Sequence, residues 1–174
     1  MYDKHAMLVE LTIRQWTARK HDKKVSGEVD QTHGAQNAGR YSKYLIPKTA
    51  LADIATRASA MREYHYRRTL PWGQNGQRIL PAAIFLDYRK TILELKALFD
   101  RRVDMFVNDY PRLVHEARVT LGTLYDPSEY PAASDIKGHF GVDLEIFQVP
   151  TSGDFRVEVA DTVRNELQAE SEAG

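Results

Sequence analysis

The sequence predicts a single α+β domain dominated by helix, and three observations carry that expectation. Residues 7–14, MLVELTIR, alternate apolar and polar side chains as a half-buried strand does. Ten apolar residues from Phe85 to Ala117 recur three or four apart, the period of a helix with one buried face. Two further alternating runs, VDLEIFQV at 142–149 and FRVEVA at 155–160, flank the turn-forming PTSGD. The expected architecture is one long kinked helix beside a small antiparallel sheet, the sheet made from the N-terminal strand and a C-terminal hairpin.

Each element has its own reason. In the first strand Val9, Leu11 and Ile13 point one way and Glu10, Thr12 and Arg14 the other. The polar stretch that follows, as far as Pro47, is punctuated by Gly27, Gly34 and Gly39, with room for a short helix at its centre. After Pro47 the segment TALADIATRASAMREYHY spaces Leu51, Ile54, Ala58 and Met61 as one buried stripe. Thr49 is the expected N-cap, and Arg57, Arg62 and Tyr66 lie on the opposite face. Pro71 ends this helix, and Asn75-Gly76 is a strong hairpin signal because both residues accept positive φ. Residues 70–80 are therefore expected as a small hairpin or extended loop that presents Trp72 outside the core.

The longest helix is expected from Pro81 to about Leu121. Its seam is heptad-like, with one extra residue between Phe99 and Val103, and Pro111 is expected to kink or split it. Aromatic stripes of this spacing belong to cores and helix–helix contacts. Beyond it lie turns, a short helix at 132–138, the two C-terminal strands, and an acidic helix or tail at 161–174. Residues 1–160 form one domain on this reading, since no linker or internal repeat is visible.

Composition narrows the function. A chain of 174 residues can bury a core unaided, and the absence of cysteine removes disulfides and thiolate metal sites while suiting a reducing compartment. The first sixteen residues are broken by Glu10 and Arg14, unlike a secretory leader, and no apolar run is long enough for a membrane span. A cytoplasmic location follows as the expectation. Net charge is zero, yet residues 1–90 carry 16 Lys/Arg against 8 Asp/Glu and residues 91–174 carry 8 against 16. One half can therefore attract a polyanion, or the two halves can pair with each other within or between subunits.

No catalytic motif emerges. His5, His21, His33, His65, His115 and His139 are scattered, without metal-ligand spacing. Neither a phosphate loop, a dinucleotide fingerprint nor a nucleophile elbow is present, and GQNG is turn chemistry. Asp143 and Glu145 share a strand face but lack a lysine on that strand, so they nominate no nuclease site. No cofactor is implied.

What remains is basic and aromatic. Arg14, Trp16, Arg19, Lys20, Lys23 and Lys24 form a first cluster, and Arg40, Tyr41, Lys43 and Tyr44 a second. Arg62, Tyr64, Tyr66, Arg67, Arg68 and Trp72, with Arg78 nearby, form a third. Such interleaving suits single-stranded nucleic acid, where cations follow the phosphates and flat rings stack on unpaired bases. Arg67, Arg68, Arg40 and Lys43 are expected on phosphates, and Trp72, Tyr66, Tyr41 and Trp16 on bases. The expectation is a non-catalytic, sequence-tolerant binder of single-stranded DNA that assembles head to tail, basic half on acidic half, into an oligomer or filament. Arginine and tyrosine are equally favoured at protein interfaces, so an adaptor or structural assembly subunit is the alternative, with an unseen enzyme behind it.

The segments LVELTIRQWTARKHDKK, NAGRYSKYLIP, RTLPWGQNGQRILP and DFRVEV resemble an uncharacterised family of bacteriophage and mobile-element proteins, some encoded near AAA+ ATPase genes. The resemblance covers roughly residues 7–160 and supplies no catalytic motif to carry over. It implies a phage or bacterial cytoplasm and a role in DNA metabolism or in assembly with an ATPase partner.

Overall fold

The computed structural model describes residues 5–73 and 76–149. In chain order these hold strand β1 (Ala6–Arg14), strand β2 (Arg19–His21), helix α1 (Lys23–His33), strand β3 (Ser42–Tyr44) and helix α2 (Thr49–Arg68). Strands β4 (Leu70–Pro71) and β5 (Arg78–Pro81), helix α3 (Phe85–Leu121) and strand β6 (Gly141–Phe147) follow, with short 3₁₀ turns before and after α3. This is a helix-dominated α+β domain. Among the described residues, no helix is long and apolar enough to cross a membrane.

Four antiparallel strands form the main sheet in the order β4-β5-β1-β6. β1 is central because it pairs on both sides, Leu8 opposite Ile79 of β5 and Phe147 of β6. Its alternation is realised: Val9 is fully buried, and Leu11 and Ile13 pack against the helices. Leu8 points to the other face, where Ile79 and Phe147 are its cross-strand neighbours. The hairpin of residues 70–81 thus belongs to the main sheet, and Leu80, completely buried, joins the core. The two strands pair as a hairpin, as expected, but their place outside the core is corrected by Leu80. Trp72 still projects, 38% exposed, at the sheet's β4 edge.

The α3 seam supplies the other half of the core. Tyr88, Ile92, Phe99, Val103, Phe106, Tyr110, Leu113 and Ala117 are all buried, against Ile54, Ala58 and Met61 of α2. Truncating one such ring, as in Phe99→Ala, costs about 3–5 kcal/mol in a core of this kind. Pro111 lies inside α3, which continues unbroken to Leu121 instead of splitting. Buried Tyr110 and Leu113 on either side of the proline hold that turn against the core and offset the missing N–H. Gly122 stops the helix at φ 54 and ψ −122, backbone that only glycine adopts without strain.

Three smaller expectations change. Thr49 does not cap α2; Lys48 occupies that position without a side-chain bond. The short helix expected at 132–138 is a 3₁₀ turn, Ile136–His139, anchored by fully buried Ile136. The polar stretch before Pro47 contains α1 at its centre, and also β2 and β3, which pair with each other as a separate two-stranded ribbon. The second C-terminal strand at 155–160 and the acidic tail at 161–174 lie outside the described residues.

Candidate nucleic-acid interface

The ribbon exists because the loop after α1 is tied back along that helix. Asp22 caps α1 by accepting from the backbone of Lys24 and Val25, each at 3.1 Å. Asp30 accepts from the amides of Asn37 at 2.8 Å and Ala38 at 3.2 Å. Ser26 Oγ donates to the Asp22 carbonyl at 2.7 Å and accepts from the Tyr41 amide at 2.9 Å. The Tyr41 carbonyl in turn accepts from the Asp22 amide at 3.0 Å and from His21 Nδ1 at 2.9 Å. A carbonyl can only accept, so Nδ1 of His21 carries a proton.

These ties bring the first two basic clusters of the sequence onto one small surface. Arg19 sits across from Tyr44, Lys20 from Lys43 and His21 from Ser42. Lys48 Nζ lies 4.6 Å from the centre of the Tyr44 ring and the Arg19 guanidinium 5.9 Å from it. A hydrogen bond from Lys48 pulls the Tyr44 phenol below its ordinary pKa. Arg19, Lys20, Lys23, Lys24, Arg40 and Lys48 are all exposed, as are Tyr41 at 40% and Tyr44 at 38%. Among the described residues, Lys24 alone of these six has a carboxylate within ion-pair reach, Glu28 at a loose 4.0 Å.

Lys43 does not join them. Its Nζ is buried and donates to the Leu124 carbonyl at 2.6 Å, with Asp22 Oδ2 at 3.2 Å and Glu129 Oε2 at 2.8 Å. The Glu129 contact is a charge pair at an angle poor for hydrogen bonding. Burial works to lower the pKa of this ammonium, yet the carboxylates of Glu129 and Asp22 outweigh it and leave it raised. Asp22 is correspondingly lowered, first by the Val25 amide and then by Lys43. Lys43 is a strut beneath the ribbon, and no phosphate can reach it.

Trp16 is likewise withdrawn from base stacking. Half-buried, it meets Tyr110 edge-on at 5.8 Å and Phe106 at 6.2 Å, completing the core at the foot of β1. Arg14 lies on the sheet, paired with Asp143 of β6 at 3.2 Å, and half-buried Arg62 reaches the Ile13 carbonyl at 3.5 Å. Neither is part of the ribbon surface.

The third cluster gathers at the far end of α2. Its 20 residues span about 30 Å at 1.5 Å per residue. Tyr66 is 57% exposed, with the Arg78 guanidinium 4.7 Å over its ring. Arg78 is held in place by Thr69, donating to its hydroxyl at 2.6 Å and to its carbonyl at 2.9 Å. Arg68 pairs with Asp87 at 2.9 Å, and exposed Arg67 faces Glu63 at 3.9 Å. Tyr64 turns inward to stack on Tyr88 at 5.9 Å. The basic and aromatic residues therefore form two surfaces: a strongly cationic one around the ribbon, and an aromatic one at the end of α2 and its hairpin, whose arginines are partly neutralised.

Sequence reasoning missed Lys48, His21 and Leu70 as members of these surfaces. Lys48 was not singled out, although its place four residues after Tyr44 was a signal available to find it. Leu70, 63% exposed beside Trp72, had no signal at all. Among the described residues, no group of three or more His, Asp or Glu side chains is placed to hold a metal. No protein-family model, curated protein or solved structure matches this chain.

Proposed function

We propose that the protein binds single-stranded DNA without sequence preference, through the β2–β3 ribbon. The observation that carries this reading is the exposure of Arg19, Lys20 and Tyr44 on the ribbon together with Lys23, Lys24, Arg40, Tyr41 and Lys48 on the segments that flank its two strands. Cations at this density attract a phosphate backbone, and the rings of Tyr41 and Tyr44 offer stacking faces to unpaired bases. The described residues carry 21 Lys/Arg against 17 Asp/Glu, so the neutral chain presents a basic body here. The hairpin with Tyr66 and Trp72 serves as a second contact for the same strand. Copies assemble along the strand head to tail, basic half on acidic half, in a phage or bacterial cytoplasm and with an ATPase partner.

Fluorescence anisotropy with a labelled single strand, the matching duplex and an RNA tests this across a salt series. The single strand binds most tightly, and Tyr41→Ala with Tyr44→Ala weakens it by about 2 kcal/mol, roughly thirty-fold, at about 1 kcal/mol or more per stacked ring. Absence of any binding at low salt refutes the proposal.

A protein-assembly role is favoured instead by Leu86 and Met105 of α3, exposed at 79% and 55%. That reading expects a stable complex with another protein, or with a second copy, and no salt-dependent oligonucleotide binding.

A further inference from the structure

Beside the ribbon lies a cavity of about 400 Å³, bounded by α1 on one side and by the loop tied back along it on the other. His21, Lys23, Gly27, Asp30, Gly39 and Arg40 are among the residues that line it. Lys23 and Arg40 are exposed cations with no carboxylate in ion-pair range among the described residues. The one acid of the wall, Asp30, is already turned to the amides of Asn37 and Ala38. His21 gives Nδ1 to the Tyr41 carbonyl, which leaves Nε2 unengaged by that bond.

The glycines add a second, independent observation. Gly27 stands inside α1, where alanine is the better helix former, yet a Cβ built there meets nothing within 4 Å. A Cβ at Gly39 meets nothing either. The chain's own packing therefore forbids a side chain at neither position, and both keep the walls of the cavity bare.

We infer that this cavity holds one phosphate group of the bound strand, with Lys23 and Arg40 as its charge partners. The inference rests on the ribbon reading and deepens it. A cavity of this size also admits the sugar attached to that phosphate, so it fixes where the backbone enters the ribbon while Tyr41 and Tyr44 take the bases. Arginine can hold the phosphate through two parallel N–H donors, whereas lysine acts as a point charge.

The test is an amide NMR titration of the full chain with inorganic phosphate, with thymidine 5′-monophosphate, and with sodium chloride at matched ionic strength. A single-strand binding assay accompanies it. Expected are saturable shifts at Gly27, Gly39 and Arg40 with both phosphate probes and not with chloride. The Lys23→Gln/Arg40→Gln double variant, which removes two exposed side chains without ion-pair partners among the described residues, loses those shifts and binds the strand at least tenfold more weakly. Gly27→Leu, which fills the cavity, does the same without lowering the thermal midpoint. Equal shifts with chloride overturn the inference. A wild-type protein that binds the strand tightly, with both variants as tight, overturns the cavity and leaves the ribbon reading intact. Phosphate shifts in a protein that binds no strand overturn the assignment to a strand and the ribbon reading together.

Discussion

Lowering the pH should destabilise this protein through one buried histidine. His65 of α2 is 4% exposed, and its Nδ1 lies 2.6 Å from the hydroxyl of fully buried Tyr88. Burial raises the Tyr88 phenol well above its ordinary range, so its proton stays and is donated to a neutral imidazole. Burial, and then the positive charge of Arg78, push His65 down to about 4. In the unfolded chain the same imidazole titrates near 6.5. As pH falls, the unfolded state therefore takes up the proton first. Stability is fully present above about pH 6.5 and is lost as pH drops towards 4. At pH 5 the two values correspond to a loss of about 2 kcal/mol. Solvent around half-buried Arg78 screens part of its share and trims the loss to roughly 1–2 kcal/mol. Urea unfolding of the wild type and of His65→Gln at pH 7.5 and pH 5 measures it. The glutamine variant keeps an acceptor for Tyr88 without a titrating group, so the gap between the two proteins should close by that amount at pH 5. A gap independent of pH refutes the reasoning.

The other predictions concern the interface and its support. Arg19→Gln with Lys20→Gln should flatten the slope of log affinity for a single strand against log salt by about 1.4, at about 0.7 per phosphate contact. Anisotropy between 50 and 300 mM salt (about the usual working range) reads that change, and an unaltered slope removes these two residues from the interface. The tryptophans should separate cleanly. Trp16→Ala lowers stability by about 2–3 kcal/mol in denaturant titrations because it opens the core beside Phe106 and Tyr110. Trp72→Ala leaves stability within about 0.5 kcal/mol and weakens strand binding about fivefold, the loss of one stacked ring. Lys43→Met, which strands two carboxylates beneath the ribbon, should cost about 3 kcal/mol of stability by urea unfolding.

Long regular elements were legible in the sequence, and contacts between distant segments were not. The α3 seam repeats over more than thirty residues, and nearly every position in it is buried as its spacing implies. β1 carries its alternation across residues 7–14, enough to fix which side faces the helices. β2 and β3 have three residues each, too few for any period to stand out, and they are brought together by ties between distant residues, those of Ser26, Asp30 and His21 among them. Lys43 looked like its exposed neighbours because what buries it, Asp22 and Glu129, lies far away along the chain. Trp16 shows the same limit: its neighbours Phe106 and Tyr110 sit on another element, and a basic neighbourhood in sequence gave no hint of them. Charge was legible as a density but not as a surface. Parts of the first two clusters meet at the ribbon without Arg14, Trp16 and Lys43, and most of the third lies at the opposite end of α2.

If the proposed strand binding holds, the length of α2 sets a ruler for the oligonucleotide. With stacking rings mounted near both ends of a rod about 30 Å long, a stacked strand rising about 3.4 Å per nucleotide needs roughly nine nucleotides to touch both. Shorter oligomers are held at one site. Longer ones gain bivalent attachment, the second contact forming at the high effective concentration set by the first. Affinity plotted against chain length should then rise in a step near nine nucleotides, not in proportion to length.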